Sequence, residues 1–323
     1  MSGLVDGEWV GTDYATDDDG EFERQETTFR DRIGPDEAFP VEAERYHLYI
    51  CRACPWAHRT AMIRALKGLD GAISLSLVQP ERYDDGWEFS EAHPDPLYGE
   101  EYLRDIYVRA DPDYTGRVTV PVLWDRERET IVNNESAEIM RMLDVAGHEL
   151  ATRDVDLYPE GYRDDVDELI DDIYDPINNG VYRAGFAGSQ DAYDEAVADL
   201  FDALEYYDDL LADQRYLAGD QLTEADLAMF ATLVRFDHVY HTHFKCNRRA
   251  VHEYDNLWGY TKDLYTTPGI GRTVNMDHIV RHYYVSHGDV NPKRLVPTGP
   301  DIDFTEGHDR DRLPGGPPEA LRE

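Results

Sequence analysis

The chain has 323 residues, with 68 aspartates and glutamates against 31 lysines and arginines, a formal charge of −37. So acidic a balance excludes the basic patch that phosphate binding requires, and no apolar run approaches the ~20 residues that span a bilayer. Only four basic residues are lysine (Lys67, Lys245, Lys262, Lys293) and the acid is spread along the whole chain, a pattern that points to a halophile, since the Debye length falls to roughly 3 Å at 1 M salt.

The start, Met1-Ser2-Gly3-Leu4-Val5-Asp6-Gly7-Glu8, lacks the basic segment and apolar core of a signal peptide. Cysteine is sparse and odd in number (Cys51, Cys54, Cys246), unlike a disulfide framework. Both features place the protein in the cytoplasm. Residues 1–40 read as an N-terminal extension.

Tyr46-His47-Leu48-Tyr49-Ile50 then reads as a strand that runs through Cys51-Arg52-Ala53-Cys54 into Pro55 and a helix over 55–68. Proline suits the first helical position, because its missing N–H would be unpaired there anyway. Cys54 becomes the cap residue. The unpaired N–H groups and positive dipole end of the helix favour thiolate over thiol, so the sulfur can act as a nucleophile; the competing reading is a small buried cysteine. A strand over 72–78 follows, then a polar connection carrying Trp87, strands over 118–125 and 129–133, and a helix opening at Asn134-Glu135-Ser136. Pro121 would remove a ladder hydrogen bond within its strand, so it is expected where the strand meets a site, with a cis bond. The order β-α-β then β-β-α is that of a thioredoxin-like domain, assigned to 41–150.

From about Arg163 the period becomes helical, over Asp167–Ile177, Gln190–Leu211 and Ala225–Val239, and residues 151–290 read as an all-helical domain. Thr223-Glu224-Ala225-Asp226 resembles a capping box before an apolar helix. Residues 291–323, with Gly315-Gly316-Pro317-Pro318 and many charges, read as an extension ending in a mobile tail. His241, His243 and Cys246 have ligand chemistry without the spacing of a zinc site, so no metal is expected.

An ordered set of motifs runs through the chain: Gly20-Glu21-Phe22-Glu23-Arg24, Cys54-Pro55-Trp56-Ala57-His58-Arg59, Gly86-Trp87, Arg117-Val118-Thr119-Val120-Pro121, Asn133-Asn134-Glu135-Ser136, Asn178-Asn179-Gly180-Val181-Tyr182-Arg183 and His282-Tyr283-Tyr284. Together they resemble the glutathionyl-hydroquinone reductases, the Xi class of the glutathione transferase superfamily. The resemblance implies an α/β thioredoxin-like N-terminal domain, an all-α C-terminal domain and a homodimer. It implies that Cys54 attacks the sulfur of a glutathionyl-hydroquinone, with Tyr182 as acid and Tyr240 and Tyr283 lining the pocket. Trp87, Arg117, Val120, Glu135 and Ser136 would hold the thiol co-substrate, glutathione or, in a halophilic archaeon, γ-glutamylcysteine. Cys51 leaves open a glutaredoxin-like dithiol cycle with Cys54, and a non-enzymatic ligand carrier on the same fold stays as a further alternative.

Overall fold

The computed structural model describes residues 3–11, 16, 17, 19–23, 25–35 and 37–322; Met1, Ser2 and Arg24, used in the sequence reading, lie outside the described residues. The described residues gather into two compact units. One takes those of Met1–Ala15, Arg24–Asp154 and Asp277–Ser286, the other those of Thr16–Glu23, Val155–Met276 and His287–Glu323.

In the first unit, a hairpin of β1 (Gly3–Val5) and β2 (Glu8–Gly11) precedes a four-stranded sheet. Every residue of β3 (Tyr46–Ile50) is buried, as expected of a central strand covered on both faces. Helix α1 (Pro55–Leu66) returns the chain to β4 (Ile73–Leu77), which pairs parallel to β3 with Tyr46 opposite Ile73. After α2 (Leu103–Ala110), β5 (Val122–Asp125) pairs antiparallel with β3, and β6 (Thr130–Asn133) pairs antiparallel with β5, giving the order β4-β3-β5-β6. Helix α3 (Ser136–Val145) packs beside α1, and just past the end of α1 the Lys67 ammonium meets the Asp144 carboxylate at 2.7 Å in full burial.

One strand is shorter than the apolar run suggested. Pairing begins at Val122 rather than Val118, because Pro121 has no N–H to give a ladder; the Val120–Pro121 bond is cis.

The second unit is built from α4 (Arg163–Ile173), a π turn over Tyr174–Asn178, α5 (Gly180–Gly185), α6 (Gln190–Leu210), α7 (Glu224–Arg235), a second π turn over Phe236–Tyr240, and α8 (Asp255–Thr266). All of α7 is buried, and its N-terminus is capped as the sequence implies. The Asp226 carboxylate accepts from Thr223 N at 2.8 Å, Thr223 Oγ1 at 3.0 Å, Leu217 N at 2.9 Å and the Tyr260 hydroxyl at 2.8 Å. Burial raises this carboxyl to about 6, against the pull of those four hydrogen bonds.

Two expectations need correction. Residues 277–286 of α9 (Met276–Ser286) belong to the first unit, not the helical one, since His282 bonds to Pro80 and Arg281 pairs with Glu81. The segment read as a mobile tail is packed. Arg310 is fully buried and its guanidinium donates to the carbonyls of Leu211 at 2.7 Å, Arg215 at 3.2 Å and Gln214, just past the end of α6. Orphan carbonyls at a helix end need such donors, and Phe304 and Leu321 bury apolar surface beside the arginine's segment.

Candidate active site

Cys54 is the N-cap of α1, with extended backbone angles (φ −73°, ψ 123°) and Pro55 directly after it. Its N–H donates to Cys51 O at 3.1 Å and its carbonyl accepts from His58 N at 3.0 Å, so the turn before the helix is closed on both sides. The Cys54 thiol is directed at the Val120 carbonyl, with Sγ 3.6 Å from that oxygen, and the residue keeps 9% of its surface exposed. Cys51 has none exposed, and its sulfur lies 3.8 Å from Gln79 O.

The other first-unit candidates surround different parts of the same sheet end. Glu135 caps α3: its carboxylate accepts Ala137 N–H at 3.3 Å and lies 3.5 Å from Ser136 Oγ, while its own N–H donates to Asn133 Oδ1 at 2.7 Å. A carboxylate fixed in this way leaves its outer oxygen, 3.4 Å from Thr27 Oγ1, facing a second polar partner. The Trp87 ring stacks on His282 (centroids 5.1 Å, planes 20° apart) and carries the Arg82 guanidinium 5.4 Å from its centroid. Arg117 lines a concavity with Arg82, Trp9, Gly86 and Val118. Tyr283 is buried on α9 with its ring edge-on to His282 at 5.1 Å.

Tyr182 and Tyr240 lie in the second unit. Their ring centroids are 6.0 Å apart, and both pack on Phe244, at 5.6 and 5.7 Å. Each follows or ends a π turn, a helix irregularity that recurs at functional sites because it re-aims the next side chains. The structure thus brings Cys54 to Val120, and Tyr182 to Tyr240.

Sequence reasoning did not single out Phe186 and Phe244, which stand 5.0 Å apart and complete the aromatic cluster around Tyr182. As single phenylalanines in the sequence they carry nothing that sets them apart from core residues. His243 and His287 are also buried here, Nε2 to Nδ1 at 3.2 Å, and desolvation lowers His243 to about 4, so it is neutral near pH 7. Cys246 is buried too, and desolvation drives its thiol far above the ordinary range. Among the described residues, no three histidine, cysteine or carboxylate side chains converge as a metal-holding group.

Models of the glutathione S-transferase N-terminal domain and C-terminal domain match residues 53–146 and 190–263. The chain is 49% identical to the glutathionyl-hydroquinone reductase YqjG of Escherichia coli strain K12 over 324 residues, covering 96% of this chain and 99% of that protein. Among solved structures, a Xi class GST from Natrialba magadii aligns with a TM-score of 0.91 at 61% identity over 98% of both chains. The glutathione-bound structure of YqjG aligns with a TM-score of 0.88 at 46% identity, over 95% of this chain and 98% of that one. With full-length relatives at this identity and both domain models in place, the chain belongs to the glutathionyl-hydroquinone reductase family, the Xi class of the glutathione S-transferases.

Proposed function

We propose that this protein reduces glutathionyl-hydroquinones to hydroquinones, with Cys54 as the nucleophile. The observation that carries the reading is the placement of Cys54 as the N-cap of α1, directly before Pro55, at the end of the sheet from which Val120 also comes. The helix end supports a thiolate, and the thiolate attacks the thioether sulfur of the conjugate. A Cys54–glutathionyl disulfide forms as the bond from sulfur to the aromatic carbon breaks. That carbon takes up a proton, for which Tyr182 is the acid. A second glutathione thiolate then attacks the disulfide, regenerates Cys54 and leaves as glutathione disulfide. The two electrons that reduce the aromatic carbon therefore come from two thiols.

Val120 offers main-chain polar atoms to the cysteinyl part of the thiol, Glu135 and Ser136 hold its γ-glutamyl end, and Trp87 and Arg117 its other end. Tyr240 and Tyr283 line the hydroquinone pocket. These contacts leave γ-glutamylcysteine as a second acceptable thiol, since the γ-glutamyl end is common to both. The protein works in the cytoplasm as a homodimer in this reading, and its acidic surface suits a halophile.

Mass spectrometry of the folded protein in high salt, after mixing with a glutathionyl-hydroquinone, tests the reading. The expected species is one glutathionyl adduct on Cys54 with release of free hydroquinone. C54S should abolish both, with turnover down by about a thousandfold or more, the scale on which removal of a nucleophile acts. In the same assay C51S should keep its turnover, because Cys51 is sealed from solvent against Gln79 O. Loss of activity in C51S would instead support the dithiol cycle, and no adduct in either protein would sink the reductase mechanism in favour of a ligand carrier.

A further inference from the structure

The loop from Gln79 to Trp87 is tied at its base by its own main chain. Gln79 N–H donates to Glu88 O at 2.8 Å, Gly86 N–H to Tyr83 O at 3.0 Å, and Leu103 N–H reaches Trp87 O at 2.9 Å. None of these bonds orients the indole.

That task falls to α9, some 200 residues further along. Its His282 Nδ1 lies 2.6 Å from Pro80 O, and since a carbonyl only accepts, Nδ1 carries the proton. One turn later, Ser286 Oγ accepts Arg82 N–H at 2.8 Å and sits 3.2 Å from the same Nδ1. Arg281 pairs with Glu81. Three residues of one helix thus grip three successive residues of the loop, 80 to 82. With its ring fixed by the Pro80 bond, His282 lies nearly parallel to the Trp87 indole, 20° between planes and 5.1 Å between centroids. An imidazole so anchored restricts the indole, which also carries the Arg82 guanidinium 5.4 Å from its centroid, on a residue whose N–H the same helix holds through Ser286.

We propose that His282 is a positioning residue for the thiol half of the substrate, fixing the Trp87 indole in the attitude that receives the glutathionyl group. The proposal rests on the assignment of Trp87 to thiol binding made above. Its neighbour Tyr283, edge-on to the same imidazole, lies on the same turn of α9. The helix therefore carries a contact for each half of the conjugate, and His282 serves the thiol half.

The test uses the full chain in high salt, with S-methylglutathione as an unreactive probe in calorimetry and a glutathionyl-hydroquinone in turnover. Three variants divide the two roles of the imidazole. H282F keeps a ring for stacking, H282Q keeps a donor for Pro80 O, and H282A has neither. H282A should raise the Kd of the probe and the KM of the conjugate by about tenfold, the scale of one lost hydrogen bond with its stacking partner, with kcat within about threefold, as expected when uniform binding is lost. H282F should recover most of the affinity and H282Q less. The rate of Cys54 alkylation by iodoacetamide should match the parent in all three, which a general loss of structure would not allow.

W87F provides the separate control. If W87F weakens binding and H282A does not, the positioning role is overturned while the Trp87 assignment stands. If W87F leaves the Kd unchanged, the Trp87 assignment fails and the proposal falls with it. Should H282A not fold, the remaining pair decides: tighter binding by H282F than by H282Q supports the stacking role, and equal affinities overturn it.

Discussion

Three cysteines in one chain meet three environments, and the differences decide their chemistry. Cys54 stands at a helix N-terminus with 9% of the residue exposed, Cys51 is sealed with its sulfur against Gln79 O, and Cys246 lies wholly buried in the second unit with its sulfur 3.9 Å from Phe244 O. Desolvation disfavours the charged form, so the Cys246 thiol is raised and stays protonated throughout the pH range in which ordinary thiols ionise. The thiolate is the reactive species. Iodoacetamide at pH 8, followed by peptide mapping, should therefore modify Cys54 first and leave Cys246 unmodified while the protein is folded. Raising the pH to about 9 should not bring Cys246 into reaction, since an unperturbed thiol at ~8.5 would respond there and a raised one does not. Labelling of Cys246 at a rate near that of Cys54 would contradict the buried environment.

At the scale of elements, α3 is where the N-terminal extension meets the sheet domain. Glu138, in its first turn, accepts from Arg30 Nε at 2.8 Å and Nη2 at 2.6 Å, from Arg32 at 3.3 Å and from Asn133 Nδ2 at 2.8 Å. Beside it, Asn134 and Phe29 exchange hydrogen bonds, Asn134 N to Phe29 O at 3.1 Å and Phe29 N to Asn134 Oδ1 at 3.3 Å. The Arg30 bond, above all, lowers the Glu138 carboxyl to about 2. A folded-state value below the unfolded one contributes stability above the ordinary glutamate range, and that contribution is lost as pH falls toward 2. Denaturant titrations of the parent and E138Q should show a constant gap in midpoint from about pH 7 down to pH 5, narrowing as the pH drops further. A gap that does not narrow would assign the effect to something other than the ion pair.

The extension's role was not legible in the sequence, because a pair such as Arg30 and Glu138 lies 108 residues apart and no local period encodes it. The same holds for His282 and Pro80, which draw α9 to the first unit. Local signals fared better. Cys54 before Pro55 marked the start of α1, Thr223 with Asp226 marked that of α7, and the runs over 46–50 and 72–78 marked β3 and β4 to within one residue at each end. Apolar period cannot distinguish α from π geometry, so the helix read through Ile177 ends at Ile173 and passes into a π turn. Among the candidate site residues, the motifs around Cys54 and Val120 singled out two residues that the fold brings within 3.6 Å, whereas Phe186 and Phe244 resemble any core aromatic until their rings are seen around Tyr182.

For the whole molecule, the acidic excess of 37 is left to the surface. The buried pairs Arg45 with Asp125, Lys67 with Asp144 and Arg215 with Asp263 each withdraw one cation with one anion and so leave that excess unchanged. The helices of the second unit carry the consequence. In α4, Asp164 and Glu168, Asp167 and Asp171, and Glu168 and Asp172 are like-charged at a spacing of four, and α6 repeats the pattern with Asp191 and Glu195, Glu195 and Asp199, and Glu205 and Asp209. Each such pair costs about 0.2–0.5 kcal/mol in an isolated helix at low salt. Only Arg183, at 3.0 Å from Asp199, offers α6 an opposite charge among the ion pairs of the described residues. Salt that shortens the screening length from about 10 Å at 0.1 M to about 3 Å at 1 M removes most of that repulsion between exposed charges. The thermal midpoint should therefore rise steeply with KCl over this range, and hydrogen exchange at low salt should show α4 and α6 opening before β3 and α1, whose cohesion is apolar burial. The two observations must occur together. A midpoint that rises with KCl while α4 and α6 exchange no faster than the sheet would trace salt dependence to salting-out of apolar surface rather than to charge.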